Sequence, residues 1–263
     1  MIARQLRLIG RQINVQFRMR TFNWYSFAIL FIQPAVFSAV AMILSRAAGN
    51  QAPNLVYSVI GSGILGMWSG LVFSSTYDIR ADRREGTLEL IVGSPTSLRK
   101  VEAIRTLSNV LTGLVSLAAA FLAAVLIFDY PLGQVNLVMA IGSLLLLLFG
   151  LWSMGVFLAN FLVWSRLSGS MVDFLELPVA VFCGFMYPLH ILPIWMQSIS
   201  TIFPIRWALQ SLQAAFLGEP FQSQTWLNWG VSLAISLVFC LVSSWLDVKV
   251  HDMIRKTGEM SSI

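Results

Sequence analysis

The chain has 263 residues, of which 57% are hydrophobic and 11% charged, with a mean hydropathy of +0.77. That composition excludes an ordinary soluble protein and points to an integral membrane protein. The net charge of +5 calls for no nucleic acid, because cytoplasmic loops beside anionic lipid carry such an excess of Lys and Arg.

Residues 21–45, 47–77, 106–128, 130–165, 177–205 and 220–246 contain no Asp, Glu, Lys or Arg. Roughly 20 apolar residues cross about 30 Å of hydrocarbon, so each interval holds one span. The intervals are apolar on every face, which fits helices and not the alternating segments of a β-barrel. The expected fold is therefore an all-α integral membrane protein with spans over residues 23–45, 55–77, 105–128, 136–163, 169–188 and 226–246. Alternate connections carry 15 and 2 of the Lys and Arg residues, the two being Arg46 and Arg206. The positive-inside rule then places both termini in the cytoplasm.

Residues 1–22 form the first expected element. Ile2, Leu6, Ile9, Ile13 and Phe17 fall on one helical side and Arg4, Arg7, Arg11, Asn14 and Arg18 on the other, as in an interfacial helix. A polar arm of this kind does not resemble a cleavable signal peptide. Pro34 is expected to kink the first span. In the second, Gly61, Gly63, Gly66 and Gly70 with Ser58, Ser62 and Ser69 place small residues along one face, as in close helix packing. The Gly61-to-Gly66 spacing is no phosphate loop, since Met67 and Trp68 stand where Lys and Ser/Thr are needed.

Residues 79–104 form a cytoplasmic loop. Asp78 to Arg105 holds 11 of the 29 formal charges. Within it Gly86 interrupts the helix leaving the membrane, and Leu88, Ile91 and Val92 recur at helical spacing. Ser94 can then cap, and Pro95 start, the next helix. Either a solvated linker or a docking helix satisfies that pattern. Residues 129–133 make a tight outer turn before the fourth span, and residues 164–168 turn the chain back.

The segment 189–225 is too long for a turn and too apolar for a solvated loop. Pro193 and Pro204 divide it into short helices expected to dip into the outer leaflet, where irregular backbone must be covered by protein or line a cavity. Tyr187, Trp195, Phe203 and Trp207 could line an exit path or belong to an interfacial aromatic belt. Asp173 and Glu176 lie one turn apart near the start of the fifth span. They suit contact with a cationic substrate or a gating pair with Arg166, or equally the favourable dipole of a helix N-terminus. Cys183 and Cys240 fall inside spans and are expected to behave as small apolar residues. His190 and His251 lie on opposite sides of the membrane, and no cluster has metal-ligand spacing, so catalysis is not expected.

Arg84-Glu85-Gly86-Thr87-Leu88-Glu89-Leu90 followed by Ser94-Pro95 resembles the cytoplasmic loop of permease subunits of bacterial type-2 ABC exporters. The interfacial arm, the six spans and the Pro-punctuated run through Tyr187-Pro188, Leu192-Pro193 and Phe203-Pro204 are similar as well. The resemblance implies a coupling helix around Arg84, Glu85, Gly86, Thr87, Leu88 and Glu89, with Ser94 and Pro95 closing it. It implies no cofactor on this chain, with ATP and Mg bound by a separate ATPase subunit present in two copies. A second permease chain, as homodimer or heterodimer, would complete a pathway in the bacterial inner membrane for an amphipathic drug, peptide, lipid or glycan. The alternative is a scaffold or sensor that docks a cytoplasmic partner and transports nothing.

Overall fold

A computed structural model of the chain describes residues 28–47, 52–84, 98–128, 135–165, 174 and 176–257. The expected interfacial helix, the segment after Arg84 and the turns at 129–134 and 166–173 lie outside the described residues. Every regular element among the described residues is helical. A π-helical turn over Ala28–Ile32 runs into α1 (Gln33–Ala47), followed by α2 (Ala52–Arg84), α3 (Leu98–Phe128) and α4 (Leu137–Ser165). Then come α5 (Glu176–Phe182), a 3-10 turn (Leu189–Ile191), α6 (Ile194–Ser200), α7 (Pro204–Phe216) and α8 (Ser223–Thr257).

Among the described residues, four stretches are long and apolar enough to cross a bilayer: Val56–Ser74 in α2, Lys100–Leu126 in α3, Leu137–Leu162 in α4 and Ser223–Lys249 in α8. They correspond to the expected second, third, fourth and sixth spans. The share buried inside the protein is 83% for the α2 stretch and 22% for that of α8, so α2 is the central helix and α8 a peripheral one. α1, α2 and α3 pack on one another, α4, α7 and α8 form a second group, and contacts of α2 and α3 with α4 join the two.

The small residues of α2 explain its central place. A Cβ at Gly63 would stand 2.8 Å from Leu117 Cα, and one at Gly66 would stand 3.0 Å from the Ser116 Cβ, so α2 and α3 approach where side chains are missing. The glycine face therefore packs within the chain. Trp68, Ile60, Ile64, Met67 and Leu71 fill the core around it.

Polar ties fix the register of helices that lipid alone would leave free to slide. Asn109 Nδ2 donates to Ser74 Oγ at 2.6 Å between α3 and α2, and Asn160 Nδ2 donates to Ser243 Oγ at 2.8 Å between α4 and α8. Such bonds between membrane helices are worth about 0.6 to 2 kcal/mol each. Asn136 caps α4, its Oδ1 accepting from Met139 N at 3.2 Å.

The Pro-punctuated segment is helical and folds back into the bundle. Pro204 opens α7 at the first-turn position that tolerates a missing N–H. Its ring lies 3.5 Å from where a Gly150 Cβ would be, and Ser232 Oγ donates to its carbonyl at 3.0 Å. Gly150 and Ser236 are the midpoints of the α4 and α8 spans and meet each other there. α7 thus starts level with the middle of two spans. It climbs to the end where α4 begins, and there Asn136 N donates to Ala215 O at 3.0 Å. Two structural features account for this path: Phe203 is extended at φ −89°, ψ 123°, and Gly218 turns the chain at φ 73°.

Candidate functional site

The coupling residues expected from the sequence begin at the last residue of α2. Arg84 ends that helix, while Glu85, Gly86, Thr87, Leu88, Glu89, Ser94 and Pro95 lie outside the described residues, as do Arg166 and Asp173. What the structure does define is the frame that holds this segment. α2 runs unbroken for 33 residues, about 50 Å at 1.5 Å per residue. α3 begins at Leu98 and packs closely along it.

At the middle of that rod sits the one expected acidic residue that is described. Glu176 is the first residue of α5, where a helix N-terminus favours an anion. Its Oε1 accepts a hydrogen bond from Ser69 Oγ of α2, and Trp68 Nε1 donates to its backbone carbonyl at 3.2 Å. Gln33 Nε2 of α1 donates to the same Ser69 oxygen at 3.3 Å. One hydroxyl therefore links α1, α2 and α5. Ser69 and Trp68 lie within the Val56–Ser74 span, so the Glu176 carboxylate is placed among membrane segments and held by protein.

A second contact between α2 and this region lies two turns away. A Cβ on Gly61 would fall 1.9 Å from the Phe185 carbonyl oxygen, so the backbone after α5 rests directly on α2. The fifth span was expected to remain helical to residue 188, but helix α5 stops at Phe182. Gly184 has φ +63°, and Gly184 N and Phe185 N bond back to the carbonyls of Val181 and Ala180 at 3.1 and 3.2 Å. Only glycine enters this left-handed conformation without steric cost. The chain leaves the helix after Phe182, six residues before Pro188.

The outer aromatics divide. Tyr187 Oη donates to Val181 O at 2.6 Å, bracing the turn after α5. Phe203 packs on the core, whereas Trp195 projects outward at 61% exposure. Trp207 Nε1 donates to Thr201 O at 3.1 Å, holding the tip between α6 and α7. Beneath that tip, between α4 and α8, an apolar crevice of about 470 Å³ is lined by Phe157, Thr201, Ile202, Val238, Phe239 and Val242. Cys183 is buried against the backbone N–H of Arg206, and Cys240 is half-buried on α8.

Arg206 is the residue that sequence reasoning placed elsewhere. Counted as an outer charge, it sits two residues into α7, whose start is level with the midpoints of the α4 and α8 spans. Its neighbour Pro204 was the available signal, but a breaker marks where a helix starts and says nothing of its depth.

Central apolar helices tied by polar bonds, with a helix re-entering at half depth, describe a multi-pass membrane protein. A family model of the ABC-2 type transporter matches residues 6–217, which is most of the chain. The chain belongs to the ABC-2 type transporter family and is a permease, a transport subunit of a kind that works in general with ATPase subunits. The match ends one residue beyond α7, so α8 lies outside it. No curated protein matches the chain.

Proposed function

We propose that the chain is half of an ATP-driven export pathway, with six spans, both termini in the cytoplasm of a bacterial inner membrane, and a separate ATPase engaged through the segment Arg84 to Pro95. On this reading two ATPase copies bind ATP and Mg, and a second permease chain, identical or similar, completes the pathway. α1 with its preceding turn and α5 with the residues before it supply the first and fifth spans. The cargo is amphipathic, and it leaves between the paired permeases.

The observation that carries this reading is the continuity of α2. The same helix that ends at Arg84 also bears Ser69, hydrogen-bonded to Glu176, and Gly61, beneath the Phe185 carbonyl. Movement of the coupling segment by a closing ATPase pair would displace a packed rod, because close-packed interiors transmit strain instead of absorbing it. The rod would carry Glu176 and the turn after α5 with it. Glu176 then acts as a joint between the lever and the pathway wall, with Asp173 and Arg166 beside it in the chain.

Purification of the chain with the proteins that accompany it provides the test. The expected result is retention of a soluble ATPase containing a phosphate loop, and ATP-dependent movement of an amphipathic cargo in vesicles. A chain that retains no ATPase and moves nothing is a scaffold or sensor.

A further inference from the structure

We propose that Arg206 is the anion-recognition residue of the pathway, and that the cargo is an amphiphile carrying a phosphate or carboxylate beside an apolar tail. This rests on the export reading and narrows it to a substrate class.

An ionised side chain level with the middle of membrane spans is costly, and such residues mark substrate or ion paths when nothing else compensates them. Arginine keeps its charge in proteins, so neutralisation does not relieve the cost. Here α7 begins at Pro204, against Gly150 and Ser232, and Arg206 is two residues further on.

Compensation by the protein is incomplete. Nη1 donates to Gln197 O at 2.8 Å, and the guanidinium lies 4.9 Å from the centre of the Trp207 ring. Nε is buried with no hydrogen-bond partner. Among the described residues no carboxylate lies within ion-pair distance of Arg206; Glu176 is engaged by Ser69. Among the described residues, a guanidinium with five N–H donors has thus committed one to a protein oxygen and meets no counter-charge. Its planar fork fits a phosphate or carboxylate.

The surroundings supply the second half of the ligand. α6, whose carbonyl receives the Arg206 hydrogen bond, exposes Ile194 and Trp195, and α5 beside it exposes Leu177 and Val181. An anion held at Arg206 would have its tail against this apolar wall.

The test uses the purified full chain in phosphatidylcholine nanodiscs and two brominated probes, dodecyl phosphate and dodecyl maltoside, read by quenching of tryptophan fluorescence. The wild type is expected to bind the phosphate probe at least tenfold more tightly. Arg206→Gln should bring the two probes within about twofold. Trp207→Phe, which leaves the charge in place, should reduce the quench by the phosphate probe alone. Equal affinities in the wild type overturn the proposal without any variant, and are the result expected if a second copy's carboxylate already neutralises Arg206. An undiminished preference in Arg206→Gln, or an unchanged phosphate quench in Trp207→Phe, overturns it as well. Phosphatidylglycerol, itself a phosphate amphiphile, should compete with the probe; phosphatidylglycerol that no excess of probe displaces assigns the site to a resident lipid and overturns the cargo reading. Because the assay contains no ATPase, a chain that binds the anionic probe selectively yet moves nothing loses the export reading and keeps the site.

Discussion

Gly61 and Ser69 connect α5 and the turn after it to the central helix in different ways. At Gly61 the constraint is space, because an added methyl would enter the Phe185 carbonyl at 1.9 Å and backbone cannot yield as a side chain does. Gly61→Ala is expected to destabilise the chain by about 1 to 3 kcal/mol, the usual cost of overpacking, and to lower the midpoint of thermal unfolding in detergent. At Ser69 the constraint is polarity. Ser69→Ala removes the hydroxyl that Glu176 and Gln33 share, leaving a carboxylate short of a donor, and should cost about 1 to 3 kcal/mol. The double variant Ser69→Ala, Glu176→Ala should cost less than the sum of the two single changes, because each single change already breaks the same bond. A thermal-unfolding cycle reads that coupling, and strict additivity would show that the bond contributes nothing.

Among the elements, α2 joins two parts: an apolar stretch long enough to cross the bilayer and a polar end at Arg84, from which the proposed coupling segment continues. Ile79→Pro lies in the helix beyond the span and breaks the rod there, since proline removes a hydrogen bond and clashes with the preceding turn. Insertion and binding of the ATPase are expected to survive, while stimulation of ATP hydrolysis by cargo is lost. α4 offers a contrasting case. Asn136→Ala deletes its cap and should lower stability by about 1 kcal/mol with coupling unchanged.

The elements also show what a sequence can disclose. Charge-free intervals predict the spans in α2, α3, α4 and α8 because lipid imposes a length and a composition that need no knowledge of neighbours. Pro193 and Pro204 are likewise legible, as each stands just before or at the start of a helix. That this segment dips between the spans was legible from its apolar, Pro-broken composition, but the level at which α7 starts was not, because it is set by Pro204 resting on Gly150 and by Ser232 reaching its carbonyl, contacts between residues far apart in the chain. For the same reason Arg206 looked like an outer charge. The end of α5 was half-legible: Gly184 is an evident breaker, yet the apolar run through Pro188 gave no cause to stop at Phe182. Of the candidate site, Glu176 could be singled out as an acid among apolar residues, but its partners Ser69 and Gln33 have no signature in sequence.

For the whole molecule, the two helix groups give the proposed lever something to move against. α1, α2 and α3 include the end at Arg84 where the proposed coupling segment starts, whereas α4, α7 and α8 include the re-entrant helix and Arg206. α5 and the turn after it rest on the first group through Glu176 and Phe185. They touch the second through Gln213 Nε2, which donates to Phe185 O at 3.4 Å. A shift of α2 would therefore move α5 relative to α7, which bears the Arg206 proposed to hold the anionic cargo.

The central claim is that the segment after Arg84 couples an ATPase to this movement. Glu85→Ala with Leu88→Ala, introduced into the full complex in proteoliposomes, tests it through ATPase stoichiometry and the rate of transport-coupled hydrolysis. The account predicts normal membrane insertion with loss of ATPase binding or of at least nine-tenths of the coupled rate. Wild-type assembly together with wild-type coupled hydrolysis in the double variant would contradict it.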